Sequence, residues 1–337
     1  MIQACSDRTS GHNARVLNIL QVTFPFFALV LAGYIAASRR MLPIDAIAGL
    51  NSFVLFFALP CMLYRFGEST PIVQLLDVTL FLAYLLCALL MVGFAVTMSM
   101  NARIGWNDAA FGALVAAFPN TGFMGVPLLV ALLGNAAAGP AIVTIVCDMV
   151  ITTSLCIALS RLDGADEHGA SKAAGKALRG VLTNPMPWAI IFGAVASAMD
   201  WALIGPVGKT VGLLADSASP VALFTIGAVL ARSQMQVKES GHAPIMLRDY
   251  LPVALMKLVL HPCLVLLVML SVRHWGLGVE PFSVVCVVLV AALPSASNVA
   301  VLSERFGADT GRIARIILVT TAAAFFTFSG AVALLKG

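Results

Sequence analysis

The sequence predicts an all-α polytopic membrane protein of ten transmembrane helices. They form two inverted five-helix repeats in which the fourth member of each, helices 4 and 9, is broken. Three observations predict this. Of 337 residues, 60% are hydrophobic and 11% are charged, with a mean hydropathy of +0.98. A soluble domain carries about 25% charged residues, so lipid must solvate much of this surface. Ten apolar runs reach the roughly 20 residues a bilayer-crossing helix needs. Finally, a proline followed by a polar patch falls at the same place in both halves.

In chain order the runs are 16–37, 46–64, 72–99, 109–134, 140–160, 184–204, 210–231, 250–272, 281–303 and 313–335. Residues 1–15, MIQACSDRTSGHNAR, are polar and read as a disordered N-terminal tail. The run that follows is too long for the apolar core of a signal peptide. The separators SRRMLP, RFGESTP, NARIGWND, LGNAAAGP and SERFGADTGR carry the glycine, proline and charge that end helices. DSASP at 216–220 either opens the seventh span or interrupts it. The longest separator begins RLDGADEHGASKAAGKALRG and leaves five spans on each side. The organisation is therefore a first repeat over 16–160, a cytoplasmic loop over 161–183 and a second repeat over 184–337. An odd number of spans per repeat turns the second upside down.

Orientation follows from loop charge. The odd-numbered loops, with Arg315 at the start of the tenth run, hold thirteen Lys and Arg, against six in the tails and even-numbered loops. The odd loops are cytoplasmic and both termini lie on the non-cytoplasmic side.

Several function classes drop out. The 20 Lys and Arg against 16 Asp and Glu are spread thinly over loops, which is not a nucleic-acid surface. Seven cysteines show neither CxxC nor metal-ligand spacing, and six lie in apolar runs where cysteine is a small hydrophobe. No metal, cofactor or disulfide is expected. HExxH and GxSxG motifs are absent and the five histidines are scattered, so neither an intramembrane enzyme nor a sensor is expected.

The two broken spans read AAFPNTGFMGVPLLVALLG (116–134) and AALPSASNVAVLSERFG (291–307). Each joins an apolar half-helix, Pro119 or Pro294, a polar patch and a second half-helix. Proline lacks an N–H and its ring clashes with the turn before it. Backbone freed this way at membrane depth is tolerated only where it is buried in protein or lines a cavity. Asn120, Thr121, Gly122, Ser295, Ser297 and Asn298 suit the polar contacts of such a cavity. The half-helix N-termini, expected near Gly125 and Val299, would offer partial positive charge to an anion. One such span reads equally well as a plain proline kink. Two in symmetric places, each with a polar patch, favour the solute site of a secondary transporter.

PNTGFMGVPLL at 119–129 resembles the PNTxxMGxPLL element of the auxin efflux carrier family. GLNSFVLFFALP (49–60), KLVLHP (257–262) and ALPSASNVAVLSERFGAD (292–309) resemble stretches of that family's second, eighth and ninth spans. The likeness runs from about residue 16 to 335. The short central loop resembles the bacterial permease branch, which includes malonate-type carriers, rather than the plant carriers with their long loops. The resemblance implies the crossover fold shared with bile-acid symporters and sodium/proton antiporters. It implies a homodimer through a scaffold of spans 1, 2, 6 and 7, with a moving domain of spans 3–5 and 8–10. It further implies transport of a small organic anion, a mono- or dicarboxylate of malonate or auxin type, across the bacterial inner (plasma) membrane. Asn51 and Pro60 match family positions that line the scaffold side. Asp77 matches an acidic position that supports the crossover.

An ionisable group at bilayer depth costs about 2.5–3.5 kcal/mol on insertion scales, so each is a functional candidate. Asp148 lies mid-span in IVTIVCDMVITTS, and Lys257 lies in span eight with His261 one turn later. By analogy with antiporters of similar architecture, Asp148 and Lys257 would face each other behind the crossover as a charge relay, with Asp77 and His261 as further candidates. Simpler readings stand beside these. Lys257 would snorkel to the interface, Asp148 would make a static hydrogen bond, His261 would pack, Asp77 would sit at the outer interface and Asn51 would glue helices. Coupling to protons or sodium stays open. A cation:proton antiporter or sodium-coupled symporter of another solute is the alternative, although span five shows Cys147-Asp148 where a paired Asp-Asp would be expected.

Overall fold

A computed structural model describes residues 2–70, 77–101, 103–162, 185–239 and 246–336. The central loop expected at 161–183 lies almost wholly outside the described residues, as does the start of the run at 72–99. The described chain is helical: α1 (Ile2–Ser38), α2 (Ala46–Ser69), α3 (Val78–Ser99), α4 (Trp106–Ala117), α5 (Thr121–Leu133) and α6 (Asn135–Leu159), followed by α7 (Pro185–Ala198), α8 (Gly205–Glu239), α9 (Leu247–His274), α10 (Pro281–Ala291), α11 (Asn298–Arg305) and α12 (Thr310–Lys336).

Seven of these are long and apolar enough to cross a membrane: α1, α2, α3, α6, α8, α9 and α12. The ten runs expected from sequence thus meet seven helices of spanning length plus shorter helices, of which α5, α7 and α10 are apolar. Two of the missing spans are split: helix stops at Ala117 and resumes at Thr121, and it stops at Ala291 and resumes at Asn298. Two further expectations change. Residues 2–15, expected as a disordered tail, continue α1 in helical form; prolonging a helix needs no new nucleus, so even polar residues can extend one. DSASP neither opens nor interrupts the seventh span, because α8 runs through Pro220. Packing of α8 against α1 and α2 holds the helix where proline alone would bend it.

The helices are sided as lipid-solvated helices should be. On α3, Leu82, Leu86, Leu90 and Phe94 are exposed while Ala83, Tyr84, Cys87 and Met91 are buried. The outward stripe recurs at the helical period but is itself apolar. Four helices carry a π-turn: Val54–Ala58 in α2, Thr121–Gly125 in α5, Asp148–Thr152 in α6 and Met256–Leu260 in α9. Three precede Pro60, Pro127 and Pro262, whose rings crowd the carbonyls of Phe56, Phe123 and Leu258 inside those turns. Widening the helix to i+5 bonds relieves that contact. In α6 no proline follows; both the amide and the hydroxyl of Thr153 donate to the Asp148 carbonyl, the hydroxyl at 2.8 Å.

Two close helix pairs, α1 with α8 and α2 with α7, are built on glycine. A Cβ at Gly33 would lie 1.9 Å from Phe224 O, and one at Gly227 would lie 1.8 Å from Val30 O. Across α2 and α7, a Cβ at Gly193 would lie 2.3 Å from Tyr64 O and one at Gly67 2.9 Å from Ile190 O. Small residues are what let membrane helices approach to backbone contact. The remaining helices pack chiefly with one another, α3 on α4 and α9 on α10 and α12. A buried arginine ties their ends: Arg312 Nε donates to Asp249 O at 2.7 Å and Nη1 to Asp108 O at 2.8 Å. It joins the first turns of α4, α9 and α12, although by sequence it was only one of the orienting loop charges.

Gly227→Leu should lower stability by about 1–3 kcal/mol through forced overlap with α1, read as a lower melting temperature in detergent. Gly212→Ala, where a Cβ would meet nothing within 4 Å, should stay within about 0.5 kcal/mol of the parent.

Candidate functional site

The two broken segments meet. Pro119 and Ser295 form an isolated antiparallel bridge. On either side of it Asn120 N donates to Pro294 O and Ala296 N donates to Phe118 O, both at 2.9 Å. Ser295 Oγ donates to Val115 O at 2.7 Å, reaching a carbonyl of α4 that has lost its helical partner. The Ser295 amide donates to Thr320 Oγ1 of α12 at 3.3 Å. Each interrupted helix is thus completed by the other. The approach is tight, since a Cβ on Gly125 would lie 2.5 Å from Leu293 Cδ1.

What the crossing leaves over is polar. α5 begins at Thr121, four residues before the expected start near Gly125, and α11 at Asn298, one residue before Val299. First-turn amides have no carbonyl behind them within their own helix; here Thr121 N donates instead to Pro119 O at 2.8 Å, and Val299 N and Ala300 N donate to Ala296 O and Ser297 O at 3.3 Å. The side-chain oxygens of Asn120, Asn298 and Thr321 are shielded from solvent and lack a hydrogen-bond partner. An asparagine amide can accept through oxygen or, turned over, donate through nitrogen, so this group suits a small ligand with oxygen atoms. Asn120, Thr121, Pro119, Pro294, Ser295 and Ser297 are buried, while Gly122 and Asn298 are half-buried. Of the nine residues expected here, Pro119, Asn120, Pro294 and Ser295 bond directly across the crossing, with Thr121, Gly122, Ser297 and Asn298 beside them in the chain. Asn51 is half-buried on α2, one residue into the turn before the Val54–Ala58 widening.

Behind the crossing lies a buried ionisable cluster. Asp148 Oδ2 accepts from Tyr84 Oη at 2.9 Å and Oδ1 from Thr152 Oγ1 at 3.0 Å. Lys257 Nζ lies 2.8 Å from His261 Nδ1 and donates to Ala291 O at 2.9 Å. The Tyr84 and His261 rings stand 6.4 Å apart between centroids. Asp148, Lys257, His261 and Tyr84 are all fully buried. Asp148 and Lys257 do not form an ion pair; among the described residues the ion pairs are Arg65–Asp216 and Arg103–Asp249. Tyr84 and His261 stand instead in the chain of contacts linking them. Asp77 has a different place: it is the N-cap of α3, accepting from Leu80 N at 2.8 Å, about two helical turns before Tyr84.

Tyr84, Thr152, Thr320 and Thr321 escaped the sequence reading. A tyrosine in an apolar span signals nothing by itself. The available hint was Asp148 followed at i+4 by a threonine, which places a hydroxyl over the carboxylate on one helix face. A crevice of about 290 Å³ opens between α8 and the pair α9 and α12, lined by Ser233, Gln234, Tyr250, Arg315, Leu318 and Val319 among others. Its lining on α12 ends one residue short of Thr320, the partner of the Ser295 amide.

The profile of the family described as "Membrane transport protein" matches residues 18–332. The chain is 27% identical over 323 residues to a Rhizobium meliloti protein named "Putative malonate transporter", covering 94% of this chain and 96% of that one. It is 23% identical over 278 residues to auxin efflux carrier component 8 of Arabidopsis thaliana, covering 67% of this chain and 75% of that one. It is 26% identical over 294 residues to the "Uncharacterized transporter YfdV" of Escherichia coli, with 85% and 88% covered.

Ser295→Ala leaves Val115 O without its donor and should cost about 1 kcal/mol, the usual scale of a hydrogen bond between membrane helices. Tyr84→Phe should cost a similar amount by stripping Asp148 of one of its two hydroxyl partners. Thermal unfolding in detergent measures both.

Proposed function

The chain belongs to the membrane transport protein family that includes the auxin efflux carriers, and from that premise we propose that it is a secondary active transporter of a small organic anion, a mono- or dicarboxylate of malonate or auxin type. The observation that carries this reading is the reciprocal bonding of the two broken segments at Pro119 and Ser295. Irregular backbone is tolerated at membrane depth where it is buried in protein or lines a cavity, and broken helices of this kind form the sites of secondary transporters. Substrate oxygens meet the Asn120 and Asn298 amides and the first-turn amides of α5 and α11, whose partial positive charge suits a carboxylate.

The same reading counts ten crossings, with α4 and α5 together as the fourth and α10 and α11 together as the ninth, in repeats over 16–160 and 184–337 that are inverted about the loop at 161–183. The glycine-packed helices α1, α2, α7 and α8 are the scaffold, through which two copies form a homodimer, while α3–α6 and α9–α12 carry the site past it in alternating access. The crevice beside Tyr250 and Arg315 suits the cytoplasmic approach, since loop charge places that end inside and both termini outside. The membrane is the bacterial inner membrane. Asp148 is the coupling group, with Lys257 balancing charge and His261 and Tyr84 between them; Asp77 supports the moving domain by starting α3, and Asn51 lines the scaffold face. A proton-coupled carrier of another solute is the second reading, favoured by a fully buried carboxylate held only by hydroxyls.

Purified protein screened by thermal shift against mono- and dicarboxylates should show a raised melting temperature for its substrate class, since a ligand at 100 times its Kd adds about 2.7 kcal/mol to the native state. Asn120→Ala and Asn298→Ala should each weaken that binding about tenfold or more, the scale of a lost hydrogen bond to a charged group. Unchanged binding in both variants would remove the crossing as the site. In proteoliposomes Asp148→Asn should flatten the pH profile of uptake; an unaltered profile assigns coupling elsewhere.

A further inference from the structure

We propose that Lys257 is a tethered cation filling the place at the broken end of α10 that a coupling metal cation would otherwise occupy, so that transport requires neither sodium nor potassium. This deepens the transport reading above and rests on it. Ala291 is the last residue of α10. The final carbonyls of a helix have no partner within it and carry the negative end of its dipole. In transporters with discontinuous helices, such C-terminal ends and the unwound carbonyls beside them coordinate the coupling cation. Here Ala291 O receives the Lys257 ammonium at 2.9 Å.

Three observations separate this from a lysine that merely reaches for water. The side chain is fully buried, so its charge is not snorkelling to an interface. Its Nζ has a second partner, His261 Nδ1, at 2.8 Å. An ammonium only donates, so with Lys257 charged, as the proposal requires, Nδ1 accepts and the imidazole carries its proton on Nε2. The equivalent end of α4 is finished by neutral donors: Val115 O receives Ser295 Oγ and Phe118 O receives Ala296 N. The pseudo-symmetry of the crossing is therefore broken by one basic side chain. The π-turn Met256–Leu260 widens α9 at Lys257 itself. Asp148, held by Tyr84 and Thr152, lies in the same cluster without pairing to Lys257.

The test uses the full-length protein with uptake in proteoliposomes and melting temperature as separate readouts. Wild type should behave alike in sodium, potassium and N-methyl-D-glucamine chloride; a sodium or potassium requirement overturns the proposal. Lys257→Gln keeps a donor for Ala291 O but loses the charge, and uptake should fall about tenfold, the scale of a partly buried charge at a helix end. Near-normal uptake in Lys257→Gln would assign the residue a hydrogen bond only and overturn the proposal. Lys257→Ala should regain melting temperature with added methylammonium or sodium, salts that leave wild type unmoved; a folded Ala variant that responds to no cation overturns it. If Lys257→Ala does not fold, the wild-type and Gln arms decide. If no carboxylate is transported at all, the transport reading has failed and the melting-temperature arm still judges the cation site.

Discussion

The structure depends on one constraint: peptide groups freed inside a membrane must find partners within the protein. Breaking two helices at Pro119 and Pro294 exposes amides and carbonyls where lipid offers no hydrogen bonds. The chain meets this by laying the breaks against each other, so that Asn120 N and Ala296 N satisfy carbonyls of the opposite segment and Ser295 Oγ reaches back to Val115 O. The segments cannot separate without leaving several polar groups unpaired at once, each at a cost of about 1–3 kcal/mol. The crossing is therefore a rigid unit. A rigid unit with leftover asparagine oxygens can hold a solute in defined geometry.

The neighbouring helices depart from regular α-helix around that unit. Widened turns occur at Asp148 and at Lys257, as well as at the start of α5. Such turns sit often at functional positions because they shift side chains out of the regular helical register. Here they accompany a carboxylate held by two hydroxyls and an ammonium held at a helix end. The ionisable groups are thus positioned by the same departures from regular helix that the prolines and Thr153 impose.

Packing divides the molecule into two kinds of contact. Between α1 and α8, and between α2 and α7, backbone meets backbone across glycines with almost no side-chain layer. Elsewhere the ends of α4, α9 and α12 are joined by the buried guanidinium of Arg312 and two main-chain carbonyls. Gly112 makes room for it, since a Cβ there would stand 2.9 Å from Nη1. Close glycine packing suits a fixed frame. A polar knot at the ends of three helices suits a body that holds its shape as one piece.

Much of this was legible in the sequence because it is local. Composition demands lipid, proline and polar patches mark both breaks, and Asp148 and Lys257 announce themselves as charges in apolar runs. The two proline breaks marked from sequence are where the segments bond to each other, through Pro119, Asn120, Pro294 and Ser295. What the sequence did not hold was how distant segments meet. Among the described residues seven helices are long enough to span; the breaks shorten the two that cross, and α7 starts where the described residues resume. Tyr84 is an ordinary buried aromatic until α6 places Asp148 beside it. Lys257 meets Ala291 O instead of Asp148, and Asp77 caps a helix. Propensity and hydropathy act within a few residues of chain. A bond such as that between Ser295 and Val115, 180 residues apart, depends on where whole helices come to rest, and only the tertiary structure decides that.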